Sequence, residues 1–285
     1  MTVRRMRVRG VALKVFLTAA LALACLAPTP AGAQQEAGAS SWAVSPKSRA
    51  RLISSGPPRE GAYELGVEIL LQGEALTYWR NPGDAGVPPS FDFAASANLA
   101  AAEVTYPAPE RHDEGGAQAF GWRKTVVFPI TVRPADPVRP VTLDLMFRYA
   151  ACEAICVPSE GRMRLTLSPK DPAHRHAERI AAWRTRAPRP AATVGVGFDV
   201  RQISRAAKPA WIVRVAPQPG EGADLFAEGP EGWFFDTKAV GGAFEVHLAE
   251  KPANSAGPAA VRLTLTRPGG AVEHETKLDV GGDAH

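Results

Sequence analysis

Between residues 141 and 149 apolar residues recur at every second position: Val141, Leu143, Leu145, Phe147 and Tyr149, set against Thr142, Asp144, Met146 and Arg148. Side chains that repeat every two residues fall on one face of an extended strand, so this segment is a half-buried strand rather than a helix. The same period runs through Tyr63, Leu65, Val67, Ile69 and Leu71, and again through Met163, Leu165 and Leu167. Residues 125–132 are β-branched apart from Phe128 and Pro129, which reads as a strand with an edge or bulge at Pro129. Turn-forming runs separate these segments: Asn81-Pro82-Gly83-Asp84, Val87-Pro88-Pro89, Pro107-Ala108-Pro109 and Asp113-Glu114-Gly115-Gly116. The 26 prolines and 26 glycines favour many short strands over long helices. Together these signals predict an antiparallel β-sandwich over residues 34–170.

Residues 171–192 break the pattern. Asp171 as N-cap and Pro172 at the first helical position predict a short helix carrying Ala177, Ile180, Ala181 and Trp183, ending before Pro188 and Pro190. Alternation then resumes in Val194, Val196, Phe198 and Val200, in Trp211, Val213 and Val215, in Phe244, Val246 and Leu248, and in Val261, Leu263 and Leu265. The expected architecture is therefore all-β: two sandwiches joined by a short helical connector, the second and smaller one over residues 193–285 and free of cysteine.

The N-terminus reads as an export signal and not as part of the fold. Arg4, Arg5, Arg7, Arg9 and Lys14 precede an apolar stretch over 15–27, and the small residues Ala31-Gly32-Ala33 follow. That stretch is shorter than the roughly 20 residues a membrane-spanning helix needs, which predicts a signal peptide over 1–33 cleaved after Ala33; a lipoprotein signal modified at Cys25 is the competing reading. Cleavage removes five basic residues and no acidic ones. The formal charge of +4 (33 basic, 29 acidic) becomes 28 − 29 = −1, and a nucleic-acid role loses its electrostatic support. No later run is apolar and long enough to cross a bilayer, so the exported chain is expected to be soluble and periplasmic.

Two cysteines remain, Cys152 and Cys156, and in an oxidising compartment two nearby thiols tend to pair. Closing so small a ring stabilises a fold by only about 2 kcal/mol on the chain-entropy estimate, against about 3 kcal/mol for fifteen residues. The pair follows directly on the strand ending at Tyr149, at the turn end of a hairpin, where a rigid sheet displays reactive groups. Both a redox-active pair and a structural bridge remain open on these grounds, the second making the chain a non-catalytic two-sandwich binding or assembly module. A soft Cu(I) site built from the cysteines with Met163, His174 and His176 is a further alternative, although histidines two apart do not share a helical face. The sequence calls for no cofactor.

The ensemble Tyr78-Trp79-Arg80-Asn81-Pro82-Gly83-Asp84, Pro88-Pro89-Ser90-Phe91-Asp92, Tyr106-Pro107-Ala108-Pro109-Glu110, Phe120-Gly121-Trp122 and Tyr149-Ala150-Ala151-Cys152 to Cys156-Val157-Pro158 spans residues 42–168. It resembles the periplasmic N-terminal domain of DsbD-type thiol:disulfide interchange proteins, including the copper-sensitivity suppressor branch. The resemblance implies an immunoglobulin-like sandwich whose cysteine pair takes electrons from a membrane-embedded reductase. It would pass them to periplasmic thioredoxin-like or cytochrome-maturation proteins. It further implies that Cys156 attacks the partner and Cys152 resolves the intermediate. A loop with an aromatic cap shields the pair in this family, a place that Phe120 or Trp122 would fill, with Asp113 and Glu114 as acid/base or gating groups. Tyr78 and Trp79 would flank the sulfurs. Core packing is the competing role for the aromatics, and a solvated turn for Asp113 and Glu114. Better-studied members space their cysteines more widely than this Cys-x-x-x-Cys. They also continue into a membrane domain and a thioredoxin domain, which are not found in this sequence; the expectation is a stand-alone carrier served by a separately encoded membrane reductase, or a protein diverted to another role.

Overall fold

The computed structural model describes residues 1–2, 36–84, 86–172, 175–205, 208–253, 255 and 257–280. Most of the expected export signal, Cys25 and His174 lie outside them. Eleven strands build the first sandwich: β1 (Ala43–Ser45), β2 (Ser48–Ser54), β3 (Tyr63–Leu71), β4 (Leu76–Gly83), β5 (Ser90–Asp92), β6 (Leu99–Val104), β7 (Glu110–Glu114), β8 (Ala117–Arg123), β9 (Thr125–Pro134), β10 (Val141–Cys152) and β11 (Cys156–Leu167). One sheet has the order β1-β2-β3-β9-β6 and the other β11-β10-β4-β8-β7, with β5 added on β10. All these pairings are antiparallel, and the architecture is the immunoglobulin-like sandwich expected. The alternating apolar positions meet between the sheets: Leu65, Val67 and Ile69 of β3, Phe128 and Ile130 of β9, and Leu143, Leu145 and Phe147 of β10 are fully buried in one core.

Pro129 sits in an interior strand, not at an edge. It lies opposite Thr105, one residue past the end of β6, where Thr105 donates to its carbonyl at 2.8 Å and no amide hydrogen is needed in return. The helix also differs from expectation. It is α1 (Ala177–Arg184), with His176 at the N-cap, five residues later than Asp171. The segment is packed on the first sandwich: Ile180 is buried with Ala39, Ile53 and Val127. A Cβ at Gly66 would stand only 2.5 Å from Val127 on the neighbouring strand, so glycine there leaves room for the Val127 side chain. Beneath it the buried Glu68 carboxyl accepts from Arg51 at 2.7 Å and from Arg179.

The second sandwich contains β12 (Arg189–Pro190), β13 (Gly197–Ser204), β14 (Ala210–Ala216), β15 (Asp224–Glu228), β16 (Phe234–Val240), β17 (Ala243–Glu250), β18 (Pro258–Thr266) and β19 (Val272–Asp279). Its sheets have the orders β12-β19-β18-β15 and β13-β14-β17-β16; only the short β12–β19 pairing is parallel. Val194, expected in a strand, lies instead in a 3-10 turn over Ala191–Val194 that Gly195 ends in the left-handed conformation.

From residue 35 onward the chain forms one compact unit, so the two sandwiches are docked. A bulge in β4 joins them. Tyr78 pairs with Gly121 and Gly83 with Ala119, so Trp79, Arg80, Asn81 and Pro82 loop out of the ladder. The Asn-Pro-Gly turn signal is thus expressed inside a strand. The bulge presents Arg80 to the second sandwich, where its guanidinium bonds both oxygens of Glu228 at 2.8 Å and also reaches Glu273. Burial works against the Arg80 charge, yet the bonds to Glu228 and then Glu273 outweigh it and hold its pKa above the ordinary value. Nearby, Arg111 forks onto Asp224 at 2.8 and 3.0 Å, and Phe226 inserts into the first core against Trp79 and Phe120.

Candidate functional site

The dithiol site is assembled on the outer face of the β10–β11 hairpin. The two strands pair without a break from Val141↔Leu167 to Cys152↔Cys156, leaving Glu153-Ala154-Ile155 as the turn. The cysteines are therefore directly opposed. Their Cα atoms are 3.9 Å apart, closer than in most bridges, and the sulfurs are joined in a disulfide. Strand β11 begins at Cys156 itself, well before the alternating Met163, Leu165 and Leu167, so the second cysteine belongs to the ladder and three residues make the turn.

Strand parity decides what surrounds the sulfurs. Tyr149 and the alternate residues before it face the core, so Ala150 and Cys152 face outward. Leu76 of β4 pairs with Cys152, which puts Leu76 and Tyr78 on the cysteine face and Trp79 on the other. Gly121 pairs with Tyr78, so Gly121 and Ala119 share that face, whereas Phe120 and Trp122 point inward. The result is a small second cluster of Leu76, Tyr78, Ala119, Ala150 and Cys152. Cys152 is 1% exposed, whereas Cys156 is exposed to solvent.

Tyr78 connects the sulfur to an acid. Its hydroxyl oxygen is 3.8 Å from Cys156 Sγ, and the hydroxyl donates to Glu114 Oε2 at 3.0 Å. Burial, and then the Glu114 bond, push the Tyr78 pKa well above the usual value of 10, so the phenol stays protonated at any working pH. Because the native state holds this proton more tightly than the unfolded chain, Tyr78 contributes stability below about pH 10 that is lost as pH rises further. The expected slope is roughly 1.4 kcal/mol per pH unit for this one group. Denaturant unfolding at about pH 9 and about pH 11 should show a steeper loss in the parent protein than in Tyr78→Phe.

Two glycine-dependent turns complete the site. β7 and β8 are joined by Gly115-Gly116, both at positive φ (71° and 95°), a two-residue hairpin turn that places the half-buried Glu114 at its mouth. Asp113 is exposed and its Oδ1 accepts from Gly116 N at 3.0 Å, a turn-forming role. Gly86, at φ 113°, lies so close to the Tyr78 ring that a Cβ on it would stand only 2.4 Å from ring carbons. Gly86→Ala should therefore displace Tyr78 and cost about 2 kcal/mol from strain and collision combined, measurable as a lowered unfolding midpoint.

The turn is pinned on its charged side. Glu153 accepts from Lys47 Nζ at 2.6 Å and from Glu74 N at 3.4 Å, and these bonds hold its carboxyl below the ordinary range. Three residues before Cys152 on the same strand, the Tyr149 hydroxyl and Ser48 Oγ are 2.8 Å apart.

Of the residues singled out in the sequence, the structure thus brings Cys152, Cys156, Tyr78 and Glu114 together. Phe120, Trp122 and Trp79 pack in the first core: Phe120 on Phe226, Trp122 on Phe128 with its indole donating to Ala108 O, and Trp79 on Phe226. The aromatic cap expected from Phe120 or Trp122 is corrected accordingly, since both occupy the face opposite the sulfurs. The copper ligand set is likewise not assembled. Met163 is in the core, and His176 is buried at the start of α1, 3.7 Å from Glu36. Among the described residues no three His, Cys, Asp or Glu side chains are placed to hold a metal. No helix among them is long and apolar enough to cross a membrane. Lys47, Glu153 and the Arg80 and Arg111 clamps were not anticipated, because ion pairs between residues so distant in sequence leave no local signal.

Residues 44–168 match the family model described as thiol:disulfide interchange protein DsbD, N-terminal. Among solved structures, the chain is similar to the N-terminal periplasmic domain of ScsB from Proteus mirabilis, with a TM-score of 0.68 and 19% identity over 86% of this chain and 100% of that one. The shared fold thus extends beyond the residues of the family match. A marsupial T cell receptor is also aligned, at 11% identity, 84% and 99% coverage and a TM-score of 0.18. No curated protein matches the chain.

Proposed function

Since the first sandwich belongs to the family of DsbD N-terminal domains, we propose that this protein is a periplasmic dithiol carrier that moves reducing equivalents between proteins through Cys152 and Cys156. The observation that carries the reading is the asymmetry of the bridge: Cys156 is open to solvent, while Cys152 is closed off beneath Tyr78 and Ala119. A partner can reach only one sulfur.

In the reduced protein the Cys156 thiolate attacks one sulfur of a partner disulfide. A mixed disulfide forms, the partner's sulfur–sulfur bond breaks, and its second sulfur leaves as a thiolate that takes up a proton. Cys152, opposite on the neighbouring strand, then attacks Cys156 Sγ as a thiolate. The 152–156 disulfide re-forms and the partner leaves with both thiols reduced, two electrons and two protons having been transferred. Tyr78 and Glu114 serve the proton movements: the phenol oxygen is the nearest acceptor for a Cys156 thiol, and the phenol's own proton is already directed at Glu114. Reduction of the carrier runs the same steps backwards from a dithiol donor. A membrane-embedded thiol reductase is the proposed donor, and thioredoxin-like or cytochrome-maturation proteins are the proposed acceptors. Residues 1–33 are proposed to direct the export that this location requires.

The test is the reduction potential of the pair, equilibrated in glutathione or dithiothreitol buffers. A carrier requires a value above about −300 mV; a lower value is that of an inert structural bridge and overturns the reading.

A further inference from the structure

The hairpin turn carries two contrasting side chains on its surface. Its charged residue, Glu153, is folded back onto Lys47 and lies against Gly73, while its large apolar residue, Ile155, points outward and is 78% exposed. A single exposed isoleucine is ordinary on a protein surface; this one bears on the site because it directly precedes the exposed Cys156. Ile155 also belongs to an uncharged run, Ala154-Ile155-Cys156-Val157-Pro158, in which every residue is exposed or half-buried. The acids flanking this run in sequence are already engaged, Glu153 with Lys47 and Glu160 with Arg148, as is Glu114 with the Tyr78 hydroxyl. The run lies at the start of β11, an edge strand of its sheet, where an approaching chain meets no flanking strand.

We infer that Ile155 is the specificity-determining contact of the dithiol: it inserts into an apolar surface surrounding the disulfide of a partner protein and so directs Cys156 to that class of disulfide over small charged ones. The inference rests on the carrier reading and adds the chemistry of the partner, a protein whose disulfide is rimmed by uncharged, apolar side chains. Contact precedes the chemical step, so the gain from burying Ile155 enters the second-order rate. Truncation to alanine removes enough apolar surface to cost roughly tenfold, and a charge at the same point costs roughly a hundredfold.

The experiment uses the reduced full chain and follows its oxidation by two disulfides separately: oxidised thioredoxin, whose disulfide lies in an apolar surface, and oxidised glutathione, which is small and charged. The readout is the ratio of the two second-order rates, thioredoxin over glutathione. This ratio should fall about tenfold in Ile155→Ala and about a hundredfold in Ile155→Asp. Equal changes on both oxidants, or a ratio unmoved by Ile155→Asp, overturn the inference while leaving the carrier reading in place. A parent protein inert to both oxidants overturns the carrier reading and this inference with it. Because Ile155 makes no part of either core, failure to fold does not confound the result.

Discussion

Cys152→Ala is expected to accumulate as a mixed disulfide with its partners, whereas Cys156→Ala is expected to form none and to lose exchange down to background. The difference follows from burial rather than from any difference in the thiols themselves. Attack requires the partner's two sulfurs and the incoming sulfur to line up, and only Cys156 is exposed on the hairpin; Cys152 is 1% exposed and packed beneath Tyr78 and Ala119. With Cys152 gone, the first exchange step still proceeds, but no second thiol lies opposite to cleave the product. The complex then persists until an external reductant arrives. Non-reducing electrophoresis of periplasmic extracts, with and without dithiothreitol, measures this directly. Trapping through Cys152 in the Cys156→Ala protein instead would reverse the assignment and require the hairpin to open before reaction.

Phe226→Ala should be the most destabilising single substitution at the junction of the sandwiches, lowering stability by about 3–5 kcal/mol. Phe226 is carried by β15 of the second sandwich but is fully buried in the core of the first. Its ring centroid is 4.9 Å from Phe120 and 5.9 Å from Trp79, edge to face, and the Arg111 guanidinium lies 5.1 Å above it. Truncation leaves a cavity lined by two rigid aromatics that cannot collapse into it. The loss should also change the form of the transition. The parent sandwiches, held by Phe226 and by the Arg80 and Arg111 clamps, should unfold together, while the variant should show two separable steps in denaturant followed by tryptophan fluorescence. A loss below about 1 kcal/mol with one unchanged transition would show that the junction contributes little. The consequence for function is local: Arg80 lies in the bulge that begins just after Tyr78, so what holds the second sandwich also bounds the strand that carries Tyr78 to Cys156.

The legible part of this protein is the part governed by neighbours along the chain. Period two in 63–71 and 141–149 is a direct consequence of strand geometry, and the observed strands β3 and β10 contain those residues in the predicted orientation. Asn81-Pro82-Gly83 was legible as a chain reversal but not as a bulge, because whether such a signal ends a strand or interrupts it depends on whether the strand finds its partner again, as Gly83 does with Ala119. The helix start was misplaced for a related reason. Asp171-Pro172 has the chemistry of a helix start, yet the turn that forms begins at His176, where Ile180 can reach Ile53 and Val127.

The candidate site divides along the same line. By itself the sequence determined that two cysteines stand at the end of a long amphipathic strand, because alternation is a property of a single strand. Tyr78, Trp79, Phe120 and Trp122 connect to the pair by resemblance alone, with no face assigned to any of them. Tertiary structure alone decided which face is which. The pairing of Leu76 with Cys152 turns Tyr78 toward the sulfurs and Trp79 away, and the pairing of Gly121 with Tyr78 sends Phe120 and Trp122 into the core. It also decided that Cys156 is open and Cys152 closed, since burial depends on what other strands lay over a residue, and a strand carries no record of its neighbours.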